Sequence, residues 1–269
     1  MTEQHWGLTV YQGLAGDHNG LAIPGALHLA QTFGHPLHRP LQAVGAPASA
    51  LNTDWDAELQ VAMPDLRALQ TRLQQVYASG QRPLTFLTRC AAALATLPVL
   101  AEYHPDAVVV WFDAHADLNS PQTSSSGFLG GMVLSAATGI WESGLGKGLV
   151  PSQIIYVGVR DVDPPELALI DQRGIHVVPV SPSVTEELGG LLGNAPIYIH
   201  LDCDVMEPGL LPTDYSVSGG LTFEQLGDLM RLLSSQNVVG VEIAEFQDAA
   251  WAAHAAEGLW LAMQPLFTP

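Results

Sequence analysis

The chain has 269 residues, 48% of them hydrophobic, which is enough for one sizeable α/β core. Its net charge of −18, with only 9 Lys and Arg, argues against nucleic acid and anionic membrane surfaces as partners. Cys90 and Cys203, the 2 cysteines, show neither metal-ribbon spacing nor a disulfide framework. The segment from Met1 to Trp6 lacks a basic or apolar leader, and no run approaches the ~18 apolar residues of a membrane span, so a cytoplasmic setting is expected.

Short apolar runs alternate with helix-like segments. Residues 8–11 read as a first strand. The Gly-rich stretch 13–20 holds Asp17 and His18, lacks the spacing of a phosphate loop, and reads as a plain turn. A helix is expected over 24–33. Residues 55–79 look helical, with Leu66, Leu69, Leu73 and Val76 at helical spacing, and Pro64 is expected to start a new helix within them. Residues 84–87 form a strand, and 90–97 a helix that Pro98 kinks or ends. The run 108–112 is apolar throughout, as in a strand buried on both faces. Further strands are expected over 154–158, 177–180, 197–199 and 238–243, and further helices over 132–138, 166–173 and 249–263. Thr222 with Gln225 forms a capping box that opens a helix over 222–234. This alternation implies one α/β domain, residues 1–269, with a mostly parallel sheet and helices on both faces. In such sheets ligands bind beyond the carboxyl ends of the strands.

Two blocks sit at such ends. Asp113-Ala114-His115-Ala116-Asp117 follows the strand at 108–112, and Asp202-Cys203-Asp204 follows the one at 197–199. Asp113, His115, Asp117, Asp202 and Asp204 thus fall at alternating positions, and side chains two apart on extended chain point the same way. Mixed oxygen and imidazole donors suit a divalent ion such as Mn²⁺. A single such acid is usually a solvated loop residue. What distinguishes these is that Asp113, Asp202 and Glu245 all lie just past separate strand runs. If Asp113 and Asp202 bridge two ions, His115 and Asp204 complete one and Asp117 belongs to the other. A water shared by two ions has a pKa lowered toward neutrality and can attack an electrophilic carbon. Glu245, Asp163 or Glu166 could bind a cationic substrate.

These motifs resemble the ureohydrolases: arginase, agmatinase and formimidoylglutamase. The likeness covers about residues 83–248. Asp113-Ala114-His115-Ala116-Asp117 is similar to that family's Asp-Ala-His-x-Asp signature, and Asp202-Cys203-Asp204 to its Asp-x-Asp motif. Gly219-Gly220-Leu221-Thr222 matches the start of a late helix. Asp163 and Glu166 fall in a segment whose acids contact the substrate's amino end, and Glu245 falls at the guanidinium-binding Glu. The resemblance implies a three-layer α/β/α fold, Mn²⁺ (two ions, or one), and hydrolysis of a C–N bond in a small guanidino or amidino compound. It also implies a homo-oligomer, a trimer or hexamer, and makes Asp117 and Glu245 the catalytic candidates.

The chain departs from the family at several places. Leu87-Thr88-Arg89-Cys90 stands where the family has Gly-Gly-Asp-His. Cys90 therefore replaces a ligand His, and a thiolate prefers softer ions than Mn²⁺. Arg89 replaces an acid, and could lower the Cys90 pKa or repel a cation. Cys90 could equally be a small buried hydrophobe at a helix start. Glu207 stands where Asp is usual. Phe128 and Gly130 stand where arginases have Asn and a His that shuttles protons or contacts substrate, and Tyr215 replaces a small hydroxyl residue. As substrate-binding candidates, Phe128 and Tyr215 make the pocket more aromatic and less like one for arginine; ordinary loop packing is the alternative. Three readings stay open: a binuclear hydrolase, a single-metal amide hydrolase, and an inactive relative with a binding or structural role.

Overall fold

A computed structural model describes residues 5–268; residues 1–4 of the stretch read for a leader lie outside the described residues. Runs rich in β-branched and aromatic residues become eight strands: β1 (Trp6–Tyr11), β2 (Leu41–Val44), β3 (Arg82–Phe86), β4 (Val108–Phe112), β5 (Ile154–Val157), β6 (His176–Val178), β7 (Ile197–Asp202) and β8 (Val238–Ala244). They pair in parallel throughout, in the order β2-β1-β3-β8-β7-β4-β5-β6. The helices are α1 (Ala22–Leu37), α2 (Trp55–Ala78), α3 (Ala93–Tyr103), α4 (Val133–Ala137), α5 (Pro164–Arg173), α6 (Val184–Leu191), α7 (Phe223–Ser234) and α8 (Ala252–Met263).

Alternate strand residues feed two cores, because successive side chains point to opposite faces. Val110 and Phe112 of β4 pack with α1, α6, α7 and α8 through residues such as Phe33, Leu188, Leu229 and Leu259. Val109 and Trp111 pack on the other face with α2, α3, α4 and α5, through Leu66, Leu97, Val133 and Ile170. The result is a three-layer α/β/α sandwich.

One expectation about proline is corrected, and for Pro98 the alternative that it ends its helix falls away. Pro64 starts no new helix: α2 runs through it from the Asp54 cap, which accepts the Ala57 N–H at 3.0 Å. Proline removes one backbone bond, but the buried stripe Leu59, Ala62, Leu66, Leu69, Leu73 and Val76 holds the helix on both sides of it. Pro98 likewise lies inside α3, whose buried residues Leu94, Leu97 and Leu100 span it. The segment expected to begin that helix is instead a 3-10 turn, Cys90–Ala92. Two elements escaped the sequence pattern. Strand β2 is a half-exposed edge strand of 4 residues, and α6 carries Gly189 and Gly190, which weaken any helical signal.

The strand order builds the site. β3, β8, β7 and β4 are consecutive neighbours. Just past or at their carboxyl ends come Arg89 and Cys90, Glu245, Asp202 with Asp204, and Asp113 through Asp117. Four segments distant in sequence therefore meet along one sheet edge, as ligand sites in parallel sheets do.

Candidate metal centre

Alternation along extended chain is only part of what aims the acids. Asp202 ends β7, but Asp204 sits in a 3-10 turn, Cys203–Val205. Asp202 Oδ1 accepts the Asp204 N–H at 2.7 Å, and Asp113 Oδ1 accepts the His115 N–H at 2.7 Å. Each block is a turn closed by its own first carboxylate, with the second oxygen left for the site or its support. Ala114 N–H then ties the blocks together, donating to Asp204 Oδ1 at 3.0 Å.

His115 Nδ1 lies 2.9 Å from Asp204 Oδ2 and 3.5 Å from Asp113 Oδ1. Across the edge, Cys90 Sγ donates to Asp202 Oδ2 at 3.0 Å, and Cys90 N–H donates to Glu245 Oε1 at 2.8 Å. Asp113, His115 and Asp204 each offer a donor atom within 4.8 Å of the others, and so do Cys90, Asp202 and Glu245. A third grouping, Cys90, Asp113 and His200, shares a member with each, so three overlapping sets could hold a cation. Asp117 completes the group. Its backbone is left-handed, φ 48°, and its Oδ2 is buried with no hydrogen-bond partner. Glu245 is also left-handed, φ 66°. Such backbone in non-glycine residues costs about 1–3 kcal/mol and persists only where surroundings enforce it.

Buried like charges cannot all ionise. Burial, reinforced by neighbouring acids, holds Asp202 and Asp117 well above the usual carboxylate range. Asp113 moves upward through burial and the nearby Asp204. Burial also opposes charge on Asp204, but its bond to His115 outweighs this and lowers it. Burial works against an imidazolium at His115 too, yet its hydrogen bonds to the Asp113 and Asp204 carboxylates push it up to about 12. A donor set with an orphaned buried oxygen, and with carboxylates whose burial and mutual repulsion oppose ionisation, fits a divalent cation.

Arg89 does not lower the Cys90 pKa. Burial and then Asp202 and Asp117 push that thiol well above its usual value. The guanidinium, 1% exposed, is absorbed elsewhere: Nε meets Asp17 at 3.2 Å, and Nη1 meets Asp214 at 2.5 Å and Glu245 at 2.7 Å. The loop read as a plain turn thus contributes a buried clamp through Asp17.

The remaining candidates fall around one pocket. Cys90, His115, Asp117, Phe128, Asp163, Glu166, Asp202, Asp204, Tyr215 and Glu245 line it; Asp113, fully buried, lies outside that lining. Glu166 is heavily committed: Oε1 accepts the Leu118 N–H at 2.9 Å and Oε2 the Asp163 N–H at 3.0 Å. Asp163 Oδ2 accepts from Asn119 Nδ2 at 2.9 Å. Tyr215 meets His115 edge-on, with centroids 5.6 Å apart, and lies 5.7 Å from Phe128. Phe128 also occupies the space a residue 130 side chain would need: a Cβ on Gly130 would come within 2.6 Å of its ring. Gly130 and Phe128 are therefore sterically coupled. Asn119, Ser124, Ser126 and Asp161 also line the pocket and were missed, since nothing in their spacing sets them apart from an ordinary polar loop.

A family-wide profile described as Arginase family matches residues 31–258. The chain belongs to the arginase family. It is 37% identical over 243 residues to an N(omega)-hydroxy-L-arginine amidinohydrolase of Streptomyces lavendulae, covering 90% of this chain and 89% of that one. An arginase of Eremothecium gossypii is 32% identical over 186 residues, or 62% of this chain and 47% of that one. The arginase of Bacillus subtilis shares the fold with a TM-score of 0.85 over 99% of both chains, at 20% identity.

Proposed function

We propose that this chain hydrolyses a C–N bond of a small guanidino compound, by preference an N-hydroxyguanidine, at a pair of divalent metal ions. The observation that carries the reading is the pair of donor sets, Asp113–His115–Asp204 and Cys90–Asp202–Glu245, meeting on one sheet edge. Asp113, His115, Asp202 and Asp204 would hold one ion; Cys90, Asp117, Asp113 and Asp202 would hold the other, with Asp113 and Asp202 shared. Mn²⁺ is the ion the family resemblance suggests, and when bound it supplies Lewis-acid charge that acidifies water and polarises the substrate.

The side chains do the rest. Asp117, with its unpartnered buried oxygen, is the candidate to accept a proton from the attacking water. Glu245 faces the pocket as a hydrogen-bond acceptor for guanidino N–H groups, but Arg89 and the Cys90 N–H already engage both its oxygens. A hydroxyl on a guanidine lowers its basicity, so such a substrate asks less of this carboxylate than a full guanidinium does. The hydroxyarginine activity in the name of the Streptomyces lavendulae relative supports the same class. Phe128 and Tyr215 flank the substrate, and Asp163 and Glu166 border its far end. Gly130 offers no imidazole for proton transfer.

We read residues 1–269 as one domain acting in the cytoplasm, in keeping with one sheet and two free, buried cysteines. Assembly as a trimer or hexamer rests on the family resemblance, and a solution mass measurement decides it. Among the described residues no helix is long and apolar enough to cross a membrane. The test of function is an assay of Mn²⁺-loaded protein on arginine, agmatine and N-hydroxyarginine. Turnover of the N-hydroxy compound that disappears in Asp113→Ala is expected. Turnover surviving that substitution, or no turnover of any guanidine by a fully loaded protein, contradicts the proposal.

A further inference from the structure

Behind Cys90 lies a buried chain of polar groups to which the proposed reaction gives no part. Cys90 Sγ is 3.3 Å from His200 Nε2, and His200 Nδ1 is 2.7 Å from Glu242 Oε1. Glu242 Oε2 accepts from Tyr198 OH at 2.7 Å and from Thr96 Oγ1 at 2.6 Å. His200 and Glu242 are fully buried, and they are register partners across β7 and β8. The Trp111 ring lies flat on the His200 ring, with centroids 3.4 Å and planes 3° apart, and its indole N–H donates to Asp113 Oδ2 at 2.9 Å.

An imidazole and a carboxylate in the middle of a sheet are expensive to bury unless fully paired. Here Glu242 has donors on both oxygens and the ring is fixed at Nδ1 and on one face. Nδ1 is engaged by the Glu242 carboxylate, which leaves Nε2 as the ring atom that faces the sulfur. Acid–imidazole pairs of this kind are how proteins orient groups at metal centres. Cys90 needs such orientation. Its sulfur turns about one side-chain bond, with three staggered positions open to it. Among the described residues it has two side-chain partners, Asp202 and His200. Asp202 is a candidate donor to the ion; His200 also lies within ligand reach of Cys90 and Asp113, but its Nδ1 is engaged by Glu242 in the sheet.

We infer that His200, held by Glu242 and the Trp111 ring, is a positioning residue that sets the Cys90 sulfur toward Asp202 and Asp113 for metal binding. Trp111 links the same frame to Asp113, so one buried cluster orients a donor on each side of the site. The inference rests on the reading of Cys90 as a metal ligand.

The experiment is cobalt substitution. Protein stripped with EDTA is titrated with Co²⁺, and two quantities are read: ions bound per chain at saturation, and sulfur-to-cobalt charge-transfer absorption per bound ion. Wild type shows that absorption and Cys90→Ser lacks it. In His200→Phe, which keeps a ring against Trp111, the ion count at saturation is retained. The absorption per ion falls, and affinity for the sulfur-bound ion drops roughly 10–100-fold. His200→Gln restores part of the absorption. Glu242→Gln moves both readings in the same direction by less, and carries the test if His200→Phe does not fold. Wild-type absorption and affinity in both His200→Phe and Glu242→Gln overturn the inference. So does a lower ion count with unchanged absorption per ion, since His200 would then be a ligand itself. No sulfur absorption in wild type removes Cys90 from the ligand set, and the inference falls with that reading.

Discussion

On the β4 side, Asp113, His115 and Asp204 present oxygen and imidazole donors, with the His115 side chain 29% exposed to the pocket. On the β3 side, Cys90, Asp202 and Glu245 present a thiol and two carboxylates, all buried, braced from behind by Arg89 and His200. The first half is held by its own turns and by the Trp111 N–H on Asp113. The second sets a guanidinium beside Glu245 and an imidazole beside the sulfur. A substituted ligand in a buried site is not a local event, because each polar group brought in must find a partner.

The largest effect should come from a residue that serves both halves. Asp113→Ala removes a shared donor, and should abolish binding of both ions and cut turnover by at least ~100-fold, more than losing a supporting residue does. Metal analysis and steady-state kinetics check this, and retention of one tightly held ion would mean the halves are independent. Next comes donor softness. Cd²⁺, a thiophilic ion, should displace one Mn²⁺ in wild type in clear preference to the other, and the single ion kept by Cys90→Ser should resist Cd²⁺ as the less readily displaced one does. Equal displacement from both halves would end the contrast.

The pH response of the stripped protein gives a smaller effect. His115, Asp117 and Asp202 all titrate higher in the fold than in free chain. Groups raised in this way lend stability below their ordinary pKa and lose it as pH rises through the folded value. Asp204, lowered by His115, acts oppositely, but only as the pH falls into the acid range. Without metal, the melting temperature should therefore fall from about pH 5 to about pH 8, by about 2–4 °C for each kcal/mol lost. Mn²⁺ replaces those protons and binds more tightly as pH rises, so loaded protein should lose that slope. A stripped protein that gains stability over this range would contradict the electrostatic account.

The smallest effect concerns the pocket mouth. Gly130→His should force Phe128 aside and cost about 1–3 kcal/mol. Phe128→Asn should relieve it, with a coupling of roughly 0.5–3 kcal/mol in a double-mutant cycle by thermal unfolding. Additive effects would mean that the two positions are not sterically coupled.

The sequence carried the fold because buried strands such as 108–112 and 197–199 are unbroken apolar runs, and the capping box at Thr222 and Gln225 formed as read. Five of the proposed metal donors were visible because they cluster within two short blocks after those runs. The clamp on Arg89 was not, since Asp17 and Asp214 reach it from 72 and 125 positions away in sequence. His200 and Glu242 left a fainter trace. Each is a lone ionisable residue inside an otherwise apolar strand, and two such anomalies on adjacent strands signal a buried pair, but only once the order β8-β7 is known. Pro64 misled because the packing of a long apolar stripe outweighs one missing hydrogen bond.

The most direct test of the two-halved centre is the Mn²⁺ content of stripped and reloaded protein, measured in wild type and in Cys90→Ser. The account predicts two ions per chain in wild type and one in the variant, the survivor held by Asp113, His115, Asp202 and Asp204. The same count in both proteins, or no bound ion in wild type, would contradict it.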